Sequence, residues 1–277
     1  MVRAFFRKFV TVLTTYDMGK MTEEDRLMRR INQRFMKGVM NYKLIEEGDC
    51  ILVGLSGGKD SLALLELLAR RSHIYKPKFS VVAAHVVMKN IAYESDQTYL
   101  REYAESLGVP YVCYETEFAP STDTRKSPCF LCSWNRRKAL FTVAKEQGCN
   151  KIALGHHMDD ILETLLMNMT FQGAFSTMPP RLVMRKFDMT IIRPMCLVHE
   201  ADLKEMAALR GFRKQVKNCP YEKDSHRSDM KEVLARLERP NWKFPGRPAL
   251  TRSCVGGESM NNIQHDMLPV EEDDSLK

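Results

Sequence analysis

The chain has 277 residues and is 44% hydrophobic, enough for a real core; its eight scattered cysteines, with no secretory signal, read as reduced thiols in a cytoplasmic protein rather than a disulfide scaffold. The formal net charge is +7, but the stretch from Val255 to Lys277 holds six acids and one lysine, net −5, so residues 1–254 carry +12 and suit a polyanionic partner. No apolar run approaches the roughly 18 residues of a membrane span, so no membrane-spanning helix is expected.

In chain order, Phe5, Phe6, Phe9, Val10 and Leu13 alternate with Arg3, Arg7 and Lys8. Such an amphipathic start suits a membrane surface or a transit peptide, and better a basic helix packed on the body or facing nucleic acid. Arg26, Arg29, Arg30, Arg34 and Lys37 recur at helical spacing opposite Leu27, Ile31, Phe35 and Val39, predicting a helix that ends by Gly48-Asp49. Strands are predicted at Cys50–Leu55, Phe79–Val87, Pro110–Tyr114, Lys151–Leu154 and Thr190–Ile192. Helices are predicted at Ser61–Arg71, Asp96–Leu107, Arg136–Gln147, Asp159–Met169, Ala201–Arg210 and Asp229–Leu237, and a disordered acidic tail beyond them. Strands alternating with helices predict an α/β, doubly wound, parallel five-stranded sheet. The expected organisation is a basic N-terminal helical segment at 1–47, one nucleotide-binding domain at 48–250 and the tail at 251–277.

In such a sheet, ligands bind at the carboxyl ends of strands. Two loops fall there. Ser56-Gly57-Gly58-Lys59-Asp60-Ser61 joins the first strand to a leucine-rich helix. Helix-start N–H groups and two glycines without Cβ atoms form a phosphate or pyrophosphate cradle, and Lys59 adds a mobile charge. The Walker pattern would need glycine at Val53 and Ser or Thr at Asp60, and the dinucleotide G-x-G-x-x-G is absent. The loop resembles that of the N-type ATP-pyrophosphatases, which split ATP between the α and β phosphates and transfer AMP to an oxygen. The second loop, Gly155-His156-His157-Met158-Asp159-Asp160, offers Asp159 or Asp160 to magnesium alongside Asp60, and its histidines to phosphate or substrate. An aspartate at a helix start is also a common N-cap that needs no ligand.

Cys129-Phe130-Leu131-Cys132 is the one C-x-x-C in the chain, which excludes a four-cysteine zinc ribbon. Thiol–disulfide exchange and an iron–sulfur cluster remain. Cys219 stands in a suggestive context, Asn218-Cys219-Pro220, and three thiolates would hold a cluster with one iron open to sulfide. Cys50, Cys113, Cys149 and Cys196 read as small core residues, and Cys254 as inert. Arg136, Arg137 and Lys138, with Arg181, Arg185 and Lys186, are usual for a solvated face; beside an ATP loop they suggest RNA phosphate contacts.

Together these residues resemble the tRNA 2-thiocytidine synthetase (TtcA) family of PP-loop enzymes. The likeness runs from Arg26 to Gly246 through Leu55–Ser61, the Cys129/Cys132 pair, Ile152–Leu162, Met178-Pro179-Pro180, Ile192-Arg193-Pro194 and Phe244–Arg247. It implies an adenine nucleotide alpha hydrolase-like fold and ATP-dependent thiolation of cytidine 32 in the anticodon loop. Cys129, Cys132 and Cys219 would hold a 4Fe–4S cluster; Asp60 and Asp159 would hold Mg2+. Lys59, Asp60 and Asp159 would be catalytic. Ser56 through Ser61 with His85, Gly155, His156 and Asp160 would bind ATP, and Arg136, Arg137, Lys138 and Arg181 would contact tRNA. The better known bacterial members carry a second C-x-x-C at the third ligand, where this chain has Cys219 followed by Pro220-Tyr221-Glu222. The expected partners are tRNA, a sulfur donor such as a cysteine desulfurase and a second copy of the chain. A lysidine-synthetase-like ligase, which needs no cysteines, and a non-catalytic RNA-binding or redox-sensing cluster protein are the competing readings.

Overall fold

The computed structural model describes residues 21–89, 93–94, 96–117, 128–213, 216–217 and 227–237. The amphipathic N-terminus, Cys219 and the acidic tail lie outside these residues, as does the side chain of Cys129.

Helix α1, Glu23–Asn41, starts in a capping box between Thr22 and Asp25. It ends at Tyr42, several residues before the expected Gly48-Asp49, because Lys43 takes a left-handed φ of 49° and turns Leu44 and Ile45 into the core. Leu27, Ile31, Phe35 and Val39 are buried as their spacing predicts. On the polar face, Arg30 and Arg34 both pair with Asp202, so part of the basic stripe binds α1 to the body.

The main sheet has the order β4-β2-β1-β5-β7-β6. Its parallel strands are β1 (Cys50–Gly54), β2 (Ser80–Met88), β4 (Tyr111–Thr116), β5 (Lys151–Ala153) and β7 (Met189–Ile192). All five were predicted. They are apolar throughout because both faces are covered, and successive residues serve opposite layers. Ile51, Val53, Val81, Ala83, Ala153 and Ile192 join one core with α1, α2 (Lys59–Ser72), α3 (Gln97–Ser106) and α6 (Glu200–Arg210). Leu52, Val82, Ala84, Ile152 and Ile191 join the other with α4 (Pro128–Glu146).

The sequence reading did not anticipate three features. Strand β6, Arg181–Met184, runs antiparallel to β7 and makes a sixth, edge strand. Its turn has no glycine; Asp188 supplies the left-handed residue, φ 48°, so the usual hairpin signal is missing. A two-stranded sheet pairs β3 (Tyr93–Glu94) with β8 (Val216–Lys217). Helix α4 begins at Pro128 rather than Arg136, with proline at its first position, where no N–H is missed. The chain is completed by α5 (Met158–Gln172) and α7 (Arg227–Leu237), and among the described residues no helix is long and apolar enough to cross a membrane.

From β1 the chain winds outward through β2 to β4, then crosses to β5 and winds the other way through β7. The direction therefore reverses between β1 and β5, which opens a crevice at their carboxyl ends.

Candidate active site at the switch point

Both loops singled out from the sequence meet in that crevice. After β1 the backbone turns through Gly57 at φ +81°, a conformation that suits glycine, and α2 starts at Lys59. Gly58 is the N-cap, and no side chain caps this helix. The positive end of α2 is thus presented to the loop rather than closed by its own side chains. Ser61 Oγ donates to the Gly58 carbonyl at 2.9 Å and lies 3.2 Å from Ser56 Oγ, so the two serines brace the loop from inside.

The second loop touches the first directly. A Cβ on Gly155 would stand 3.1 Å from the Asp60 carbonyl carbon and 3.2 Å from the Asp60 oxygen and the Ser61 nitrogen. Only a residue without a side chain lets the loop after β5 lie on the first turn of α2. His157 then caps α5: its Nδ1 accepts from the Asp160 N–H at 3.3 Å, and the Asp160 carboxylate accepts from the His157 N–H at 3.0 Å. The His157 ring, 4% exposed, brings three carboxylates around it. Asp60 lies 3.9 Å and Asp160 3.4 Å from Nε2, and Asp159 lies 3.7 Å from Nδ1. Asp159 also accepts from the Glu200 N–H at 2.7 Å, capping α6 from outside that helix.

Lys59 Nζ bonds both Asp60 oxygens, at 2.9 and 3.0 Å, and lies 3.4 Å from Glu200. Glu200 also pairs with Lys204 at 3.1 Å and with Lys231 of α7 at 2.8 Å. Burial opposes its charge, but hydrogen bonds from Lys231 and Lys204 and the charge of Lys59 outweigh it and hold the carboxyl down to about 2. The sequence reading passed over Glu200 because it is an ordinary acid just before a helix predicted from Ala201; the helix in fact starts at Glu200, and only the sheet order carries it to the crevice.

His85, 1% exposed, sits beneath the loop, its Nδ1 2.7 Å from the Leu55 carbonyl at the end of β1. Burial keeps the ring below its ordinary pKa against that hydrogen bond, and the Arg136 charge adds to the effect; the neutral ring donates to Leu55. His156 accepts from Arg193 Nε at 3.3 Å.

Cys129 and Cys132 are the second and fifth residues of α4. Cys132 is half-buried against Met88 at the carboxyl end of β2. Lys217, two residues before Cys219 in the sequence, pairs with Tyr93, five residues beyond Met88. Arg136, Arg137 and Lys138 continue α4, whereas Arg181 opens β6 at the far edge of the sheet. The basic residues are thus split between α4 and the opposite sheet edge. Among the described residues no three His, Cys, Asp or Glu side chains gather as a ready metal site. Magnesium needs fewer, one or two carboxylates beside substrate phosphates, and Asp60, Asp159 and Asp160 all lie within 4 Å of the His157 ring.

The winding order, the uncapped glycine loop and the carboxylates facing it define a nucleotide-binding α/β protein of the PP-loop class, and residues 24–233 match the PP-loop domain family. The tRNA-cytidine(32) 2-sulfurtransferase of Neisseria meningitidis is 38% identical over 230 residues, 81% of this chain and 70% of that protein. That of Shewanella pealeana is 33% identical over 270 residues, 94% of this chain and 84% of that protein. The chain belongs to the PP-loop tRNA-cytidine(32) 2-sulfurtransferase family. Its fold is also that of the U34-tRNA thiolase NcsA from Methanococcus maripaludis with its 4Fe–4S cluster, at a TM-score of 0.65 and 21% identity, covering 87% of this chain and 80% of that one.

Proposed function

We propose that the protein is an ATP-dependent tRNA sulfurtransferase that replaces the C2 oxygen of cytidine 32 with sulfur. The carrying observation is the packing of Gly155 on the Asp60–Ser61 backbone, the first turn of the uncapped helix α2, at the switch point, in a chain 33–38% identical to enzymes of that name. The loop and the start of α2 hold the pyrophosphate end of ATP, and Lys59 leaves Asp60 for the phosphate charge. Asp60, with Asp159 or Asp160, takes magnesium. The cytidine O2 attacks the α-phosphorus and pyrophosphate leaves, which turns a poor leaving oxygen into that of AMP. A sulfur nucleophile then adds at C2, and AMP departs with the original oxygen. Cys129 and Cys132, at the start of α4, with Cys219, are the ligands for a 4Fe–4S cluster. The cluster, when bound, supplies an iron that carries the sulfur. Arg136, Arg137, Lys138 and Arg181 contact tRNA phosphates. A sulfur donor such as a cysteine desulfurase, a cytoplasmic setting and a homodimer complete the proposal.

The test is anaerobic purification with iron and acid-labile sulfide analysis, together with C129A. The variant should bind ATP as before and form no 2-thiocytidine. Full thiolation by C129A would overturn the cluster assignment; absence of pyrophosphate release with ATP and tRNA would overturn the enzyme reading.

A further inference from the structure

Arg193 follows β7 at the carboxyl edge of the sheet and is 7% exposed. Its Nη1 donates to the Pro179 carbonyl at 2.6 Å and its Nε to His156 Nδ1 at 3.3 Å. Neither acceptor is a carboxylate. Among the described residues no carboxylate lies within ion-pairing distance of this guanidinium or of Arg137. Burial, reinforced by the positive charge of Arg137 on α4 and only partly opposed by the Cys196 thiol, pushes the guanidinium down to about 10, so a second cation acts on it with no carboxylate to balance it. Buried charges in folded proteins are ordinarily paired. A purely structural duty does not account for this one, because the loop it touches is already fastened by the Arg193 N–H to the Pro180 carbonyl at 2.8 Å.

The position matters as much as the charge. His156 is the residue after Gly155, the point where the second loop touches the first turn of α2. Arg137 lies five residues beyond Cys132 on the cysteine helix. We propose that Arg193, with Arg137 as the second cation, forms an anion site that takes a phosphate group of a substrate between the ATP loop and the cysteine helix. The phosphate comes from the nucleotide or from the RNA backbone. The site rests on the sulfurtransferase reading only for which phosphates reach it.

The experiment measures binding without turnover. Wild type, R193Q and R137Q are titrated with ATP, AMP, pyrophosphate and unmodified tRNA, and each variant is melted without ligand. R193Q should melt at or above the wild-type temperature, since it loses an unpaired buried cation, and should bind one phosphate ligand at least about tenfold more weakly. Loss towards ATP, AMP or pyrophosphate assigns a nucleotide phosphate; loss towards tRNA alone assigns an RNA phosphate. R193Q that melts several degrees lower yet binds every ligand as wild type would make Arg193 structural and overturn the site. Should R193Q fail to fold, R137Q, on an exposed position, must weaken the same class of ligand by about threefold or more; unchanged binding overturns the site. A wild type that binds phosphate but thiolates nothing would instead overturn the sulfurtransferase reading and leave the anion site standing.

Discussion

Replacing Gly155 with alanine tests how closely the two loops are built together. The new Cβ would stand 3.1–3.2 Å from Asp60 and Ser61 backbone atoms, against the 3.4–4 Å of ordinary contact, so the loops must part by a few tenths of an ångström. The obstructing atoms are helix backbone, which cannot rotate away, and overpacking of this kind costs about 1–3 kcal/mol. For a domain this size that lowers the melting temperature by about 2–4 °C per kcal/mol. The displacement falls on the turn that holds phosphate, so ATP-dependent pyrophosphate release should drop about tenfold or more, because small misplacements of reacting groups are expensive. G148A is the matched control. Gly148 has φ +65° and nothing within 4 Å of its would-be Cβ, so alanine there costs about 1–2 kcal/mol of backbone strain away from the site. Scanning calorimetry and a pyrophosphate-release assay on both variants decide the matter. G155A with wild-type ATP affinity and rate, or G148A with the same loss of activity, would refute the reasoning.

Glu200→Gln should reveal a pH dependence. The folded carboxyl is held from 4.5 down to about 2, so its stabilisation is complete above about 4.5 and is lost as pH falls towards 2. With the side chain 14% exposed, the urea-unfolding gap between wild type and E200Q should be about 1–3 kcal/mol at pH 7 and shrink below pH 4.5; a gap that stays constant to pH 3 refutes the assignment. Phe35→Ala removes a 1%-exposed ring from the core shared with α2 and β1 and should cost about 3–5 kcal/mol in the same assay. A loss under about 1 kcal/mol would mean that α1 folds apart from the sheet.

The parallel strands could be read because each is a short apolar run bounded by turns, and the phosphate loop because Gly57, Gly58, Lys59 and Asp60 follow one such run directly. Those are local signals, carried by neighbours in the chain. Strand β6 was hidden because Asp188, not glycine or asparagine, takes the left-handed turn position. The early start of α4 was hidden because Pro128 and the cysteines read as a loop motif, although proline suits a first helical position.

By itself, then, the sequence determined a doubly wound α/β chain with a phosphate cradle after β1, a histidine–aspartate loop after β5 and a cysteine pair before a basic helix. Only the tertiary structure decided which of these meet. Sheet order sets β1 beside β5, and the missing Cβ of Gly155 lets their loops touch. That same order brings Glu200 to Lys59, 141 residues away in the chain, and leaves Arg193 buried beside His156 with no acid to balance it among the described residues. Proximity of that kind depends on how strands are ordered, and no local pattern of residue types records it.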